Sequence, residues 1–128
     1  MKHFPRSKSS AQGLVEFAII LPIFLLVLFV IFDLGRLTFY YSALHNAARE
    51  GARYGIVNEN DIPGVINAVN NLTVGMDISF PPSTVTFNTD TVVVTLFYDF
   101  QAASPFLNIL IGTNTFTLSS SATMQGEW

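Results

Sequence analysis

Side chains able to do chemistry are sparse in this 128-residue sequence. There is no cysteine, which removes disulfides, thiolate nucleophiles and cysteine-based zinc sites. The two histidines, His3 and His45, have neither acids nor a second ligand at metal-binding spacing. No glycine-rich phosphate loop occurs, and no serine stands in a nucleophile-elbow context. Asp77, Asp90 and Asp99 are scattered over expected loops and a strand, so nothing argues for two carboxylates meeting to hydrolyse a substrate. Asn71-Leu72-Thr73 matches a glycosylation sequon, a triplet common by chance. The reading is a non-enzyme, with no cofactor, no metal and no small-molecule substrate.

One ionisable group is notable for its surroundings. Glu16 stands at the front edge of Phe17 to Phe32, FAIILPIFLLVLFVIF, sixteen positions without charge, amide or hydroxyl, closed by Asp33. A carboxylate at mid-membrane depth costs roughly 2.5–3.5 kcal/mol on insertion scales and less near the interface, so it persists where it has a partner. The positive end of the helix dipole supplies about 0.3–1 kcal/mol of compensation. Two readings of Glu16 follow: a group awaiting a cationic partner, or a carboxylate among headgroups that simply ends the span. The first is the expectation.

The element that carries Glu16 is a membrane helix. Spanning the hydrocarbon core takes roughly 20 residues at about 1.5 Å each, and Leu14 to Phe32 supplies them with Glu16 near the headgroups. Lys2, His3, Arg6 and Lys8 precede it without an acid, which favours an inside N-terminus and an outside C-terminal part. The apolar run is longer than a typical secretory h-region and begins at an acid, against a conventional cleaved signal. Pro22 inside the run predicts a kink near Ala18 to Pro22, because it removes a backbone hydrogen bond and crowds the preceding turn.

Charge is divided along the chain. All six basic residues lie at or before Arg53, and from Gly55 onward there are six acids and no Lys or Arg. Such a domain repels phosphate backbones, so no nucleic acid is expected as a partner.

The residues SAQGLVEFAIILP then carry a resemblance. With Ala11, Glu16-Phe17 and Pro22, and onward through Asp33 to Arg36 (DLGR) and Asn46 to Gly55 (NAAREGARYG), the segment Ser10 to Gly55 resembles TadE-like pseudopilins of tight-adherence (Flp/Tad) pilus systems. The resemblance implies cleavage by a prepilin peptidase. In type IV pilin-like proteins the acid lies five residues after the cut, which here falls between Ala11 and Gln12; the usual residue before the cut is glycine, and this chain has alanine. It also implies that Glu16 pairs with the new α-amine of a neighbouring subunit, Phe17 being part of the same motif. The implied partners are the membrane, other pilin-like subunits and pilus assembly proteins.

Beyond Asp33 the helix is expected to continue. Ala43, Ala47, Gly51 and Gly55 recur every four residues and share a face, widened by Ala48 and Ala52. Small side chains permit close backbone approach, and this stripe is expected to lie against the sheet. Arg49 and Arg53 face elsewhere, toward solvent or toward acidic neighbours in an assembly. Asn58 to Asp61 is a polar break. Asp61 is then a helix N-cap with Pro63 in the first turn, Ile62, Val65, Ile66, Val69 and Leu72 form one apolar face, and Gly75 ends the helix.

Pro81-Pro82 marks the change to strands. Thr84 to Phe87, Asn88 to Asp90 and Thr91 to Phe100 read as a hairpin, with Val92, Val94, Leu96, Tyr98 and Phe100 on one face. Thr115 to Met124 alternates as a half-buried antiparallel strand. The apolar connection Ser104 to Gly112 is either a buried short helix or an exposed patch; burial is the expectation.

The fold expected is therefore α+β and pilin-like: a long N-terminal transmembrane-and-stalk helix packed on a small antiparallel sheet, with one short extra helix. The divisions expected are a cytoplasmic basic leader at 1–11, a transmembrane helix at 12–33, its extension at 34–57 and an extracytoplasmic strand-rich domain at 58–128. The function expected is a minor pilin-like subunit in the cytoplasmic membrane that can enter a surface filament. The alternative is a permanently anchored extracytoplasmic binding or scaffolding domain.

Overall fold

Between Lys8 and Val57 only Pro22 lacks a backbone N–H, and the segment forms one 50-residue helix, α1 (Lys8–Val57), in the computed structural model. At about 1.5 Å per residue it is roughly 75 Å long. The structure describes residues 8–80, 84–105, 109 and 111–126; the basic residues Lys2 and Arg6, His3, and the Pro81-Pro82 pair lie outside that set. The helix assignment continues through Pro22 without interruption, so this proline does not end the element. α1 stops where Asn58 closes its last turn, the backbone N–H and the side-chain amide of Asn58 both donating to the Tyr54 carbonyl at 3.0 and 3.3 Å. Asn60 then takes a positive φ of 61°, a conformation Asn tolerates better than most residues, and the chain reverses.

The second helix, α2 (Ile62–Leu72), begins as its sequence dictates: Asp61 caps it, its carboxylate accepting from the Gly64 N–H at 3.1 Å, with Pro63 in the first turn. Its end differs from expectation. The helix stops at Leu72, three residues before Gly75. The Thr73 hydroxyl donates to the Val69 carbonyl at 2.9 Å, and Gly75 instead occupies a following turn at φ 84°, closed by Met76 N–H to Thr73 C=O at 2.9 Å. Threonine competing for the helix carbonyl ended the helix before glycine could. Of the expected apolar face, Val65 and Val69 are fully buried, Ile66 is half-buried, and Ile62 and Leu72 are exposed.

The sheet has four antiparallel strands, β1 (Ile78–Ser79), β2 (Val85–Phe87), β3 (Thr91–Gln101) and β4 (Thr115–Gln125). β3 is the centre. β4 pairs with its whole length, from Thr91↔Gln125 to Gln101↔Thr115. The other edge of β3 is shared end to end by β2, in the register Val85↔Val94 to Phe87↔Val92, and by β1, Ile78↔Tyr98. The hairpin expected from Thr84 to Phe100 is present, closed by Asn88 N–H to Thr91 C=O at 2.8 Å. β1, two residues long, has too little pattern to be seen in sequence.

Strand alternation directs the core. Val92, Val94, Leu96 and Phe100 of β3 point inward, as does Ala122 of β4, while Thr115, Thr117, Ser119, Ser121 and Thr123 lie on the exposed face. The outer face is held by short polar pairs, Thr95 to Ser121 at 3.1 Å and Thr117 donating to Asp99 at 2.7 Å. Inside, Leu44, Ala47, Ala48 and Ala52 of α1 meet Val65 and Val69 of α2 and the valines of the sheet. The architecture is α+β: a long apolar helix, a short second helix and a small antiparallel sheet.

Candidate functional site: the anchor helix and its boundary

α1 is two surfaces on one rod. From Ala11 to Phe32 no residue is buried, although most are large and apolar. The helix is long and apolar enough to cross a membrane, and the rest of the chain covers none of its most apolar window. A core helix of a water-soluble domain would have that stripe covered, so α1 presents a surface suited to lipid or to other apolar helices.

Near the start of this surface stand the residues expected to be processed and paired. Ala11 and Gln12 are exposed and helical, within α1 and not ahead of it. Glu16 is exposed, and among the described residues none hydrogen-bonds or ion-pairs with it. Phe17 beside it is 61% exposed. Any partner for the Glu16 carboxylate within the described fold is therefore missing, and the residue is open to one from outside.

The upper part of α1 is the reverse. Ala47, Gly51 and Gly55 of the small-residue stripe are buried, and Ala43 is half-buried beside Phe39, Asn46 and Leu72. The stripe meets more than the sheet expected for it. A Cβ placed on Gly51 would come within 2.8 Å of Val69 in α2 and 3.5 Å of Val94 in β3; one on Gly55 within 2.9 Å of Val92 in β3 and 3.4 Å of Val65 in α2. Glycine is needed here for space, because α1 wedges between α2 and the sheet.

At the junction of the two surfaces lies a long-range contact with no local signal in the sequence. Asp33 is 4% exposed. Its two carboxylate oxygens accept the backbone N–H groups of Ala103 at 3.0 Å and Ser104 at 2.8 Å, immediately after β3. Arg36, one turn up, approaches the same carboxylate at 3.5 Å and lies 5.2 Å from the Phe100 ring centroid and 5.8 Å from that of Tyr40. Tyr40 in turn packs on Tyr98 at 5.1 Å. Burial, followed by the neighbouring Tyr40, pushes the Tyr98 phenol above its usual range. An acid closing an apolar run reads as a polar boundary; its partners are seventy residues away in sequence.

The connection after Asp33's partners corrects another expectation. Ser104 is buried, but Pro105, Ile109 and Ile111 are exposed, Ile109 to 83%. These residues lie along α1 beside Pro22, Leu25, Leu26 and Phe29, or beside Val30, Leu34 and Leu37, and not in the core. The buried cluster is instead formed by α1, α2 and the sheet, without Ile109 or Ile111.

The remaining polar candidates are local. Arg53 pairs with Glu50 through two hydrogen bonds of 2.9 and 2.6 Å, an i,i+3 pair. That bond, and the Arg53 charge, hold the Glu50 carboxyl below its usual value and raise that of Arg53. Arg49, the other arginine expected on that face, is exposed. His45 Nδ1 meets the Ser120 hydroxyl at 3.3 Å. Tyr54 donates to Asp61 at 3.0 Å, locking the end of α1 to the cap of α2, and the absence of a side chain on Gly64 makes room for that contact. Its bond to the Asp61 carboxylate, then burial, raise the Tyr54 phenol above its ordinary pKa.

One helix, apolar and long enough to cross a membrane, thus continues from an uncovered stretch into the core of a small α+β domain. Residues 11–53 match the family model described as TadE-like protein, a span that lies within α1 and takes in most of it. The match covers about a third of the chain and nearly the same residues that carried the resemblance. Comparison with curated proteins and with solved structures found no match.

Proposed function

We propose that this chain is a minor pilin-like subunit that helps build or initiate a tight-adherence pilus or a related secretion filament. Before assembly α1 holds it in the cytoplasmic membrane, N-terminus inside and the sheet outside. In the filament the same apolar surface packs against the helices of neighbouring subunits. Its role is structural and not catalytic. The observation that carries this reading is the uncovered face of α1 from Ala11 to Phe32 with a Glu16 at its start that has no partner among the described residues. The TadE-like match over residues 11–53 supports the same reading.

The mechanism is a transfer of one surface between two apolar surroundings. Moving α1 from lipid to a bundle of helices changes its hydrophobic contacts little, so register must come from a polar group. Glu16 supplies it. Cleavage between Ala11 and Gln12 by a prepilin peptidase would create an α-amine one helical turn from the depth of Glu16. A carboxylate in a low-dielectric setting gains most when such an amine from a neighbour meets it.

The test is the mature N-terminus together with one variant. Intact mass spectrometry of the protein from membranes is expected to give Gln12 as the first residue; an intact Met1 would favour the permanently anchored module. Glu16→Ala is expected to insert normally and fail to assemble. Unchanged assembly would remove the role assigned to Glu16.

A further inference from the structure

We infer that the outer edge of β4 is a docking site for an extended segment of a different protein, one that is basic, apolar at alternate positions, and runs antiparallel to β4 toward the membrane. Two hydrogen bonds fix the phase of the β3–β4 ladder: Gly126 N–H to Asp90 C=O at 2.9 Å, and Ala102 N–H to Asn114 C=O at 2.8 Å. Hydrogen-bonded pairs alternate along an antiparallel ladder, so the even-numbered residues of β4 bond to β3. Thr95 N–H, donating to the Thr84 carbonyl, agrees, since it turns the odd-numbered residues of β3 toward β2. The odd-numbered residues of β4 therefore aim their N–H and C=O groups away from the sheet. Thr115 is closed locally by the Thr113 hydroxyl. Thr117, Ser119, Ser121, Thr123 and Gln125 are exposed, and among the described residues no strand pairs with that edge. Sheet edges are ordinarily blunted by charge, proline, a bulge or brevity. β4 reads TFTLSSSATMQ over 11 residues, without a charge or a proline, and pairs with β3 without a bulge.

Three features identify what fits this edge. An added strand sets every second side chain on the inner face, where Leu34 and Leu37 of α1 and Phe116 and Leu118 of β4 line an apolar groove. Its charge follows from the head. From Gly55 onward there are six acids and no Lys or Arg. Asp99, bonded to Thr117, and Asp90, opposite Gly126, stand toward the two ends of β4, so a basic segment is favoured. Its direction follows from the fold. β4 starts beside the chain that Asp33 holds through the N–H groups of Ala103 and Ser104. Ser120 then meets His45, and Met124 lies opposite Val92, which packs at Gly55. β4 thus climbs along α1, and β1 and β2 climb with it, all three being antiparallel to β3. With α1 read as the span, a second copy in the same membrane offers, among the described residues, one descending strand, β3, which has strands on both sides. An antiparallel occupant, the more stable pairing, therefore comes from another protein. The edge itself stands on the sheet; only the direction rests on that reading of α1.

The test uses the full chain in detergent micelles and a synthetic peptide of alternating valine and threonine with a lysine at each end. Residue-resolved amide hydrogen exchange reads the edge. Without peptide, the amides of Leu118, Ser120 and Ala122 are expected to exchange slowly and those of Thr117, Ser119, Ser121 and Thr123 fast. The peptide is expected to slow the second set about tenfold or more and to leave the first unchanged. Ser119→Pro removes one outward N–H and no ladder bond, and is expected to abolish that slowing while Leu118 and Ala122 stay protected. Should that variant lose protection throughout the sheet, the titration of the unaltered chain decides alone. A peptide ending in glutamates is expected to have no effect, and a nitroxide on the C-terminal end of the lysine peptide to broaden Thr117 more than Thr123. No slowing at millimolar peptide, or equal slowing of both sets, would overturn the inference. Odd-numbered amides that are slow without peptide and become fast on dilution would overturn it in favour of a second copy. Equal action by the glutamate peptide would overturn the charge assigned to the occupant, and stronger broadening at Thr123 its direction. Whether the mature chain begins at Gln12 or Met1 bears on the filament reading and leaves this one untouched.

Discussion

The lower and upper parts of α1 are the same helix with opposite fates. From Ala11 to Phe32 most side chains are large and apolar and none is buried; from Leu44 to Gly55 the face toward the domain is buried and, Leu44 apart, built of alanine and glycine. Hydrophobicity would assign the core to the lower part, yet the core is at the upper one. The difference is side-chain volume. Alanine and glycine let α1 approach α2 and β3 until backbone and valine methyls touch, and a dense interior follows. The phenylalanines, leucines, isoleucines and valines that make up most of the lower part keep partners at a distance and suit a fluid apolar solvent. Asp33 stands between the two as their seam.

The sharpest way to break the comparison is one chemical change made in both parts. Leu44→Ala is expected to destabilise the folded head by about 2–5 kcal/mol, since Leu44 is fully buried in a close-packed site. Leu28→Ala, in the uncovered part, is expected to leave head stability within about 0.5 kcal/mol. Denaturant titration in detergent, following circular dichroism, measures both; equal effects would erase the distinction.

Next in size is the seam. Asp33→Ala leaves two N–H groups without their charged acceptor and is expected to cost about 2–3 kcal/mol. Its signature is faster hydrogen exchange at the amides of Ala103 and Ser104, with Val94 unchanged. Fast exchange throughout the sheet would mean that Asp33 supports the whole head and not the seam alone.

Glycine gives a contrast of sign. Gly51→Ala forces a methyl against Val69 and is expected to destabilise by about 1–3 kcal/mol. Gly35→Ala, with nothing within 4 Å of the new Cβ, is expected to gain roughly 0.5–1 kcal/mol from helix propensity. Thermal melts of the two variants are expected to shift in opposite directions.

The Tyr54–Asp61 lock yields a pH prediction. The folded phenol has a raised pKa, so the stability it contributes is fully present below its unfolded value, near 10.0, and is lost as pH rises through the folded value. Tyr54→Phe is therefore expected to lower the melting temperature at pH 7 and to flatten the alkaline fall above pH 10.0. An identical alkaline fall in the variant would place that titration elsewhere. The smallest effect is expected at Arg53→Ala, which breaks an exposed surface pair with Glu50 and should leave the melting temperature unchanged within error.

Much of this molecule was legible in advance because its signals are local. The cap at Asp61 with Pro63, the alternation of β3 and β4, and the small-residue repeat from Ala43 to Gly55 each state a geometry within a few residues. Gly75 misled, because a threonine two positions earlier offered its hydroxyl to the same helix end. Ile109 and Ile111 misled for a different reason: apolar residues in a short connection read as core, and only the buried cluster, formed without them, shows that they lie outside it.

By itself the sequence determined a long apolar helix with an acid near its start, a small-faced continuation, and strands whose inner and outer faces alternate, since periodicity and side-chain size act between neighbours. Only the tertiary structure decided that the stripe is shared by α2 and the sheet, that β1 joins an edge, and that Asp33 receives the chain after β3. Those pairings join residues far apart in sequence, and their free energy exists only once close packing has brought the partners together.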